Sequence, residues 1–194
     1  MEHTIVLASA SPQRREILGS LGIAFHVMPS HVDESLSPEM TPEQAVTELS
    51  KRKARAVAAT LAERRLVIGA DTVVAYAGRI LGKPQDSADA FRTLAELRGS
   101  VHRVLTGVTV MDSGTKREET TVVATKVTMR AYSDEDVMAY VATGEPFDKA
   151  GSYAIQGRGA SLVKEVEGPM DNVVGLPGSA VAGLLQRFGV PPGS

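Results

Sequence analysis

One acid stands inside an otherwise apolar run, Leu66-Val67-Ile68-Gly69-Ala70-Asp71-Thr72-Val73-Val74. Taking a bare carboxylate out of water costs on the order of several kcal/mol unless it is paired or binds a metal. Asp71 is therefore either a strand-end residue bonded to loop amides or a group that meets a cation and does chemistry.

A lysine poses the complementary question. Thr41 to Leu61 reads as a helix whose apolar stripe holds Val46, Leu49 and Val57, and one helical turn beyond Leu49 lies Lys53. Lys51 and Arg55 fall on the solvent face. Lys53 either lays its stem on the core and snorkels, or aims its charge at an anion or an acid. The second reading is adopted.

A third cluster, Ser9-Ala10-Ser11-Pro12-Gln13-Arg14-Arg15, joins the end of a strand to the start of a helix. A helix N-terminus offers unpaired N–H groups and partial positive charge. Arginine in the first turn opposes that dipole, so a pair of them points to an anion in front, most naturally a phosphate gripped by a guanidinium. One of the two is expected to be an ordinary solvated cation. Gly82-Lys83-Pro84 adds a lysine in a rigid loop, and the Gly-rich stretch from Glu145 to Gly157 carries Asp148, Lys149 and Gln156. No phosphate-loop signature is present, and Gly157-Arg158-Gly159 lacks the third glycine of a dinucleotide fingerprint. His3, His26, His31 and His102 have no metal-ligand spacing.

The elements that must position these residues alternate along the chain. Thr4 to Ala8 reads as a buried strand, and Ser11-Pro12 as the cap and first turn of a helix stopped by Gly22. Ala24 to Met28 is a second strand, followed by a polar loop from Pro29 to Pro38 that contains Glu34. After the Thr41 helix come a strand from Leu66 to Ala75, a turn at Ala77-Gly78 and a return over Arg79 to Leu81. Asp86 caps a helix to Leu97. Val101 to Met111 and Glu118 to Arg130 form a hairpin about Asp112-Ser113-Gly114-Thr115. Ser133 caps a helix to Val141, Gly144 to Gly159 is irregular, Ser161 to Glu167 is a strand, and a last helix ends near Phe188. This alternation, broken by hairpins, predicts an α/β class with a mixed sheet.

Composition narrows the function. The 194 residues carry 21 Lys+Arg against 23 Asp+Glu, a net charge of −2, which argues against a nucleic-acid coat or a membrane-surface protein. Any bound anion must be held by a local cation cluster. With no cysteine, disulfides, zinc–thiolate sites and thiol nucleophiles are excluded. Aromatic residues are 4%, too few for a base-stacking surface. The apolar runs are too short to span a bilayer, and the first residues do not read as a signal peptide, so the expected location is cytoplasmic.

Taken together, these blocks resemble the Maf family of nucleotide pyrophosphatases, also described as septum-formation inhibitors. The carriers are Leu7-Ala8-Ser9-Ala10-Ser11-Pro12-Gln13-Arg14-Arg15, Lys53-Ala54, Gly69-Ala70-Asp71-Thr72-Val73, Gly82-Lys83-Pro84, Thr106-Gly107, Glu145 through Gly157, and Val174-Gly175-Leu176-Pro177. Gly-Ala-Asp-Thr and Tyr-x-Ile-Gln-Gly resemble the branch acting on dTTP and UTP, not that acting on 7-methyl-GTP. Gln13 departs from that branch, which often has Arg there.

The resemblance implies a single domain over residues 1–194, with a twisted mixed sheet flanked by helices and two lobes around a central cleft, akin to inosine triphosphatases. It implies hydrolysis of dTTP, UTP and modified pyrimidine nucleotides to the monophosphate and pyrophosphate. Asp71 matches the proton acceptor. Ser9, Ser11, Arg14, Lys53 and Lys83 would serve the phosphates, and Gln13, Thr72 and Gln156 the choice of base. Glu34 and Asp71 would hold a divalent cation, Mg²⁺ or Mn²⁺. The implied partner is the nucleotide alone, with neither nucleic acid nor membrane, and the family often crystallises as a homodimer. The alternative is a nucleotide-binding regulator that inhibits septation and cell division. A third reading, a pyrophosphatase for inosine or xanthosine triphosphates, lacks the Ser9–Arg14 block.

Overall fold

The computed structural model describes residues 4–191; His3 lies outside them. The element order is β1 (Ile5–Leu7), α1 (Pro12–Ser20), β2 (Phe25–Val27), α2 (Pro42–Thr60), β3 (Leu66–Tyr76), β4 (Arg79–Leu81), α3 (Ser87–Leu97), β5 (Val101–Asp112), β6 (Glu118–Met129), α4 (Asp134–Val141), β7 (Val163–Glu167), α5 (Met170–Val174) and α6 (Gly178–Arg187). The seven strands form one sheet in the order β2-β1-β3-β5-β6-β7, with β4 paired to β3. β1 runs parallel to β2 and β3, whereas the β3–β4 and β6–β7 pairs are antiparallel. The sheet is therefore mixed, as the hairpins predict. Among the described residues no helix is long and apolar enough to cross a membrane.

The helix starts follow the capping residues. Ser11, Thr41, Asp86 and Ser133 each accept a hydrogen bond from a first-turn N–H, and Pro12 and Pro42 occupy first-turn positions. The strand expected from Ser161 begins at Val163, because Arg158–Leu162 winds as a 3₁₀ helix.

Among the described residues the chain divides into two compact units, one built from residues 4–71, 106–123 and 175–191, the other from 72–105 and 124–174. In the first unit, strand alternation sends Ile5, Leu7, Ile68 and Ala70 to a core with Leu18, Leu184 and Leu185 of α1 and α6. Val6, Ala8 and Val67 pack on the other side with Ala54, Val57 and Ala58 of α2. In the second unit, Leu94, Leu97, Val127, Met129, Val137, Tyr140 and Tyr153 share a separate core. β3 passes from the first unit to the second between Asp71 and Thr72.

Candidate active site

Glycine decides how close α2 comes to the sheet. A Cβ at Gly69 would sit 2.3 Å from the Ser50 carbonyl oxygen and 2.7 Å from the Ala54 amide nitrogen. A Cβ at Gly107 of β5 would sit 2.3 Å from the Val46 carbonyl oxygen. Only glycine allows such backbone contact. The consequence falls on the neighbours: Lys53 precedes Ala54 on the helix, and Asp71 shares the pleat of Gly69 on the strand.

Lys53 is buried in the α2 stripe, and its ammonium does not snorkel. Nζ donates to Oδ1 of Asp71 at 2.5 Å and lies 2.7 Å from Oε1 of Glu34. The Lys53 and Asp71 side chains are 10% and 11% exposed, that of Glu34 62%, so a buried ion pair is extended outward by a solvated acid. Burial raises the Asp71 pKa above its ordinary value; Lys53 and Arg14 oppose that shift and Glu34 adds to it. The result is an acid more basic than a surface aspartate, with its carboxylate form favoured by the two cations.

The strand-to-helix turn supplies the second group. Oγ of Ser9 accepts from the Ser11 amide at 3.2 Å and from Nη1 of Arg14 at 3.4 Å. Oγ of Ser11 accepts from the Arg14 amide at 3.3 Å and donates to Oε1 of Gln13 at 3.1 Å. Nε of Arg14 donates to the Gly175 carbonyl at 2.8 Å, which aims the guanidinium inward, whereas Arg15 is exposed. Burial lowers the Arg14 pKa, and the charges of Asp71 and Glu34 oppose the shift. One of the two arginines is thus the solvated one, as expected.

The first unit therefore brings together Ser9, Ser11, Gln13, Arg14, Glu34, Lys53 and Asp71. Thr72, Lys83 and Gln156 belong to the second unit. There the Gly151 amide donates to the Gly82 carbonyl at 3.0 Å, so the Lys83 loop lies beside the Gly-rich segment. A Cβ at Gly151 would come within 3.0 Å of Val74, whose pleat Thr72 shares. Lys83 and Gln156 are exposed and Thr72 is half-buried. Asp148 and Lys149 pair with each other at 2.6 Å.

Two residues of this framework are not among the site residues expected from the sequence. Glu145 accepts from the amides of Arg158 at 3.1 Å and Gly159 at 3.0 Å and from the Tyr140 hydroxyl at 2.9 Å, and so shapes the turn after Gln156. Arg52 bonds the loop that carries Glu34. Its only sequence hint is Glu48 one helical turn earlier.

The model of the family described as "Maf-like protein" matches residues 4–188. The chain belongs to the Maf family. A protein from Moorella thermoacetica named dTTP/UTP pyrophosphatase is 52% identical over 96% of this chain and 95% of its own length. Proteins of the same name from Pelotomaculum thermopropionicum and Dictyoglomus turgidum are 48% and 47% identical, covering 95% and 97% of this chain and 96% and 98% of their own lengths. In this Maf chain Lys53 pairs with Asp71, and the charges of Arg14 and Glu34 act on the same acid.

Proposed function

We propose that this chain is a nucleotide pyrophosphatase that hydrolyses dTTP, UTP and modified pyrimidine nucleotides to the monophosphate and pyrophosphate, working in the cytoplasm on free nucleotides. The observation that carries the reading is the buried acid at Asp71, held by Lys53 beside an anion-binding turn at Ser9–Arg14. The names of its relatives supply the substrate class.

The chemistry follows from the groups present. A triphosphate meets Arg14, Lys53, the N–H groups that open α1 and the hydroxyls of Ser9 and Ser11, with Lys83 as a further cation. These groups fix the phosphate chain and neutralise its charge, which is most of what phosphoryl transfer asks of a protein. Water attacks the α-phosphorus in line with the leaving oxygen. The P–O bond to the β-phosphate breaks, pyrophosphate leaves, and Asp71 takes the proton from water. Lys53 favours the carboxylate form of Asp71 against its burial, and burial makes that carboxylate a better base.

Glu34 and Asp71 fit a hard cation: both offer carboxylate oxygen, and both already approach one ammonium, at 2.7 and 2.5 Å. Among the described residues no group of three or more His, Asp and Glu gathers for a metal, so water and phosphate oxygens would complete the shell, as Mg²⁺ prefers. Glu34 and Asp71 would hold a divalent cation, Mg²⁺ or Mn²⁺, which would supply charge neutralisation at the phosphates. We assign the choice of base to Gln13, Thr72 and Gln156, whose amide and hydroxyl groups both donate and accept, as a uracil or thymine edge requires.

Hydrolysis of UTP in ¹⁸O-water tests the reaction. The label should enter UMP and be absent from pyrophosphate. Label in pyrophosphate would place the attack on the β-phosphorus and overturn the mechanism.

A further inference from the structure

Residues 28–37 form no helix or strand, yet the segment presents an exposed acid to a buried lysine. A long side chain on such a segment loses conformational freedom when held in one geometry. Something must therefore hold the backbone on either side of Glu34.

Arg52 does this. Nη1 donates to the Asp33 carbonyl at 3.1 Å and to the Ser35 carbonyl at 2.8 Å, the two flanking residues. Nε donates to Oε1 of Glu48 at 2.7 Å, which fixes the guanidinium along α2. Within the segment, the Ser35 amide donates to Oδ1 of Asp33 at 2.8 Å, closing a tight turn around Glu34. Consecutive residues of one helix thus grip the same tripeptide: Arg52 takes its backbone and Lys53 its carboxylate. The planar fork separates the two tasks, Nε holding Glu48 and Nη1 both carbonyls, a geometry that a lysine's single ammonium nitrogen does not reproduce.

We infer that Arg52, anchored by Glu48, is the positioning residue that sets the Glu34 carboxylate on Lys53 beside Asp71. The inference rests on the role given to Glu34 above and extends it to residues outside the site. Arg52 itself touches no reacting atom.

The test uses the full chain with UTP and Mg²⁺, measuring kcat, KM and Tm for Arg52→Met, Arg52→Lys, Glu34→Gln and the double variant Arg52→Met/Glu34→Gln. Arg52→Met should lower kcat by about 10- to 100-fold, the usual effect of losing a residue that orients a ligand. Its Tm should stay near the wild-type value, and Arg52→Lys should recover part of the loss. With Glu34 already Gln, Arg52→Met should cost little more, because coupled residues are not additive. Amide hydrogen exchange over residues 29–40 should accelerate in Arg52→Met without any substrate present. Should Arg52→Met fold poorly, Glu48→Gln releases only the anchor and should lower kcat in the same sense. Wild-type kcat in Arg52→Met, or the same fold loss with Glu34 intact and replaced, overturns the inference and leaves the pyrophosphatase reading standing. Wild-type kcat in Glu34→Gln removes the role of Glu34 and the inference with it. Absence of UTP turnover in the unmodified protein contradicts the reading of function itself, and both fall.

Discussion

Nζ of Lys53 lies 2.5 Å from Oδ1 of Asp71, and the two side chains are nearly equally buried. The pair exists because Gly69 lets α2 settle onto β3 at backbone distance. Burial raises the pKa of the acid, and the ammonium at hydrogen-bond distance opposes that rise by favouring the carboxylate.

Asp71→Asn keeps the shape and removes the proposed proton acceptor. The rate of UTP hydrolysis should fall by about 10²–10⁴-fold. Folding should survive, since Lys53 keeps Glu34 as a partner. Near-normal turnover in this variant would make Asp71 a structural residue.

Lys53→Met extends the apolar stripe of α2 yet strands the Asp71 carboxylate. Removing one partner of a buried pair costs on the order of 3 kcal/mol. Stability should therefore fall, and the double variant Lys53→Met/Asp71→Asn should recover most of it, with both variants inactive. Urea unfolding of the two proteins measures this. A single variant as stable as the wild type would mean that the pair is not coupled to folding.

Gly69→Ala forces a methyl onto the Ser50 carbonyl, where a Cβ would stand at 2.3 Å. Neither backbone can yield cheaply, so α2 must lift from β3. We expect a loss of about 1–3 kcal/mol or more in stability, together with reduced turnover by the molecules that remain folded. Thermal unfolding and active-fraction kinetics check both. An unchanged Tm would show that the helix has room to move.

Stability should also depend on pH through His102. Its ring is 2% exposed and bonds the Tyr153 hydroxyl at 2.8 Å, and burial lowers its pKa from 6.5 to about 4. The unfolded chain takes up this proton as pH falls below 6.5, whereas the folded one resists until about 4. The full stability is present above 6.5 and declines across that window, by up to about 3 kcal/mol. His102→Gln should flatten the decline. Asp112, held low by Arg64, and Glu118, held low by Arg55, lose their contributions only below their ordinary values of 3.8 and 4.5, so the two effects separate. An equally steep decline in His102→Gln between pH 6.5 and 4.5 would contradict the assignment.

The caps at Ser11, Thr41, Asp86 and Ser133 and the stripe through Val46, Leu49, Lys53 and Val57 were legible because they are local patterns. So was the anomaly of a charge on an apolar face. The partner of Lys53 was not, since pairing with Asp71 depends on how a helix packs on a strand, and that is fixed by the missing side chain of Gly69. Arg52 and Glu145 escaped because they bind backbone carbonyls and amides, which leave no complementary residue type in the sequence. The short helix α5 carries too few residues to show a period.

The central claim is the reaction and its base preference, and one measurement tests both: kcat/KM for pyrophosphate release from UTP, dTTP, CTP, GTP and 7-methyl-GTP under identical Mg²⁺. A site whose amides and hydroxyls pair with a uracil or thymine edge leaves them unpaired against another base, so UTP and dTTP should lead clearly. Gln156→Glu should erode that lead. A preference for 7-methyl-GTP or CTP would contradict the base assignment, and the absence of pyrophosphate from every substrate would contradict the account as a whole.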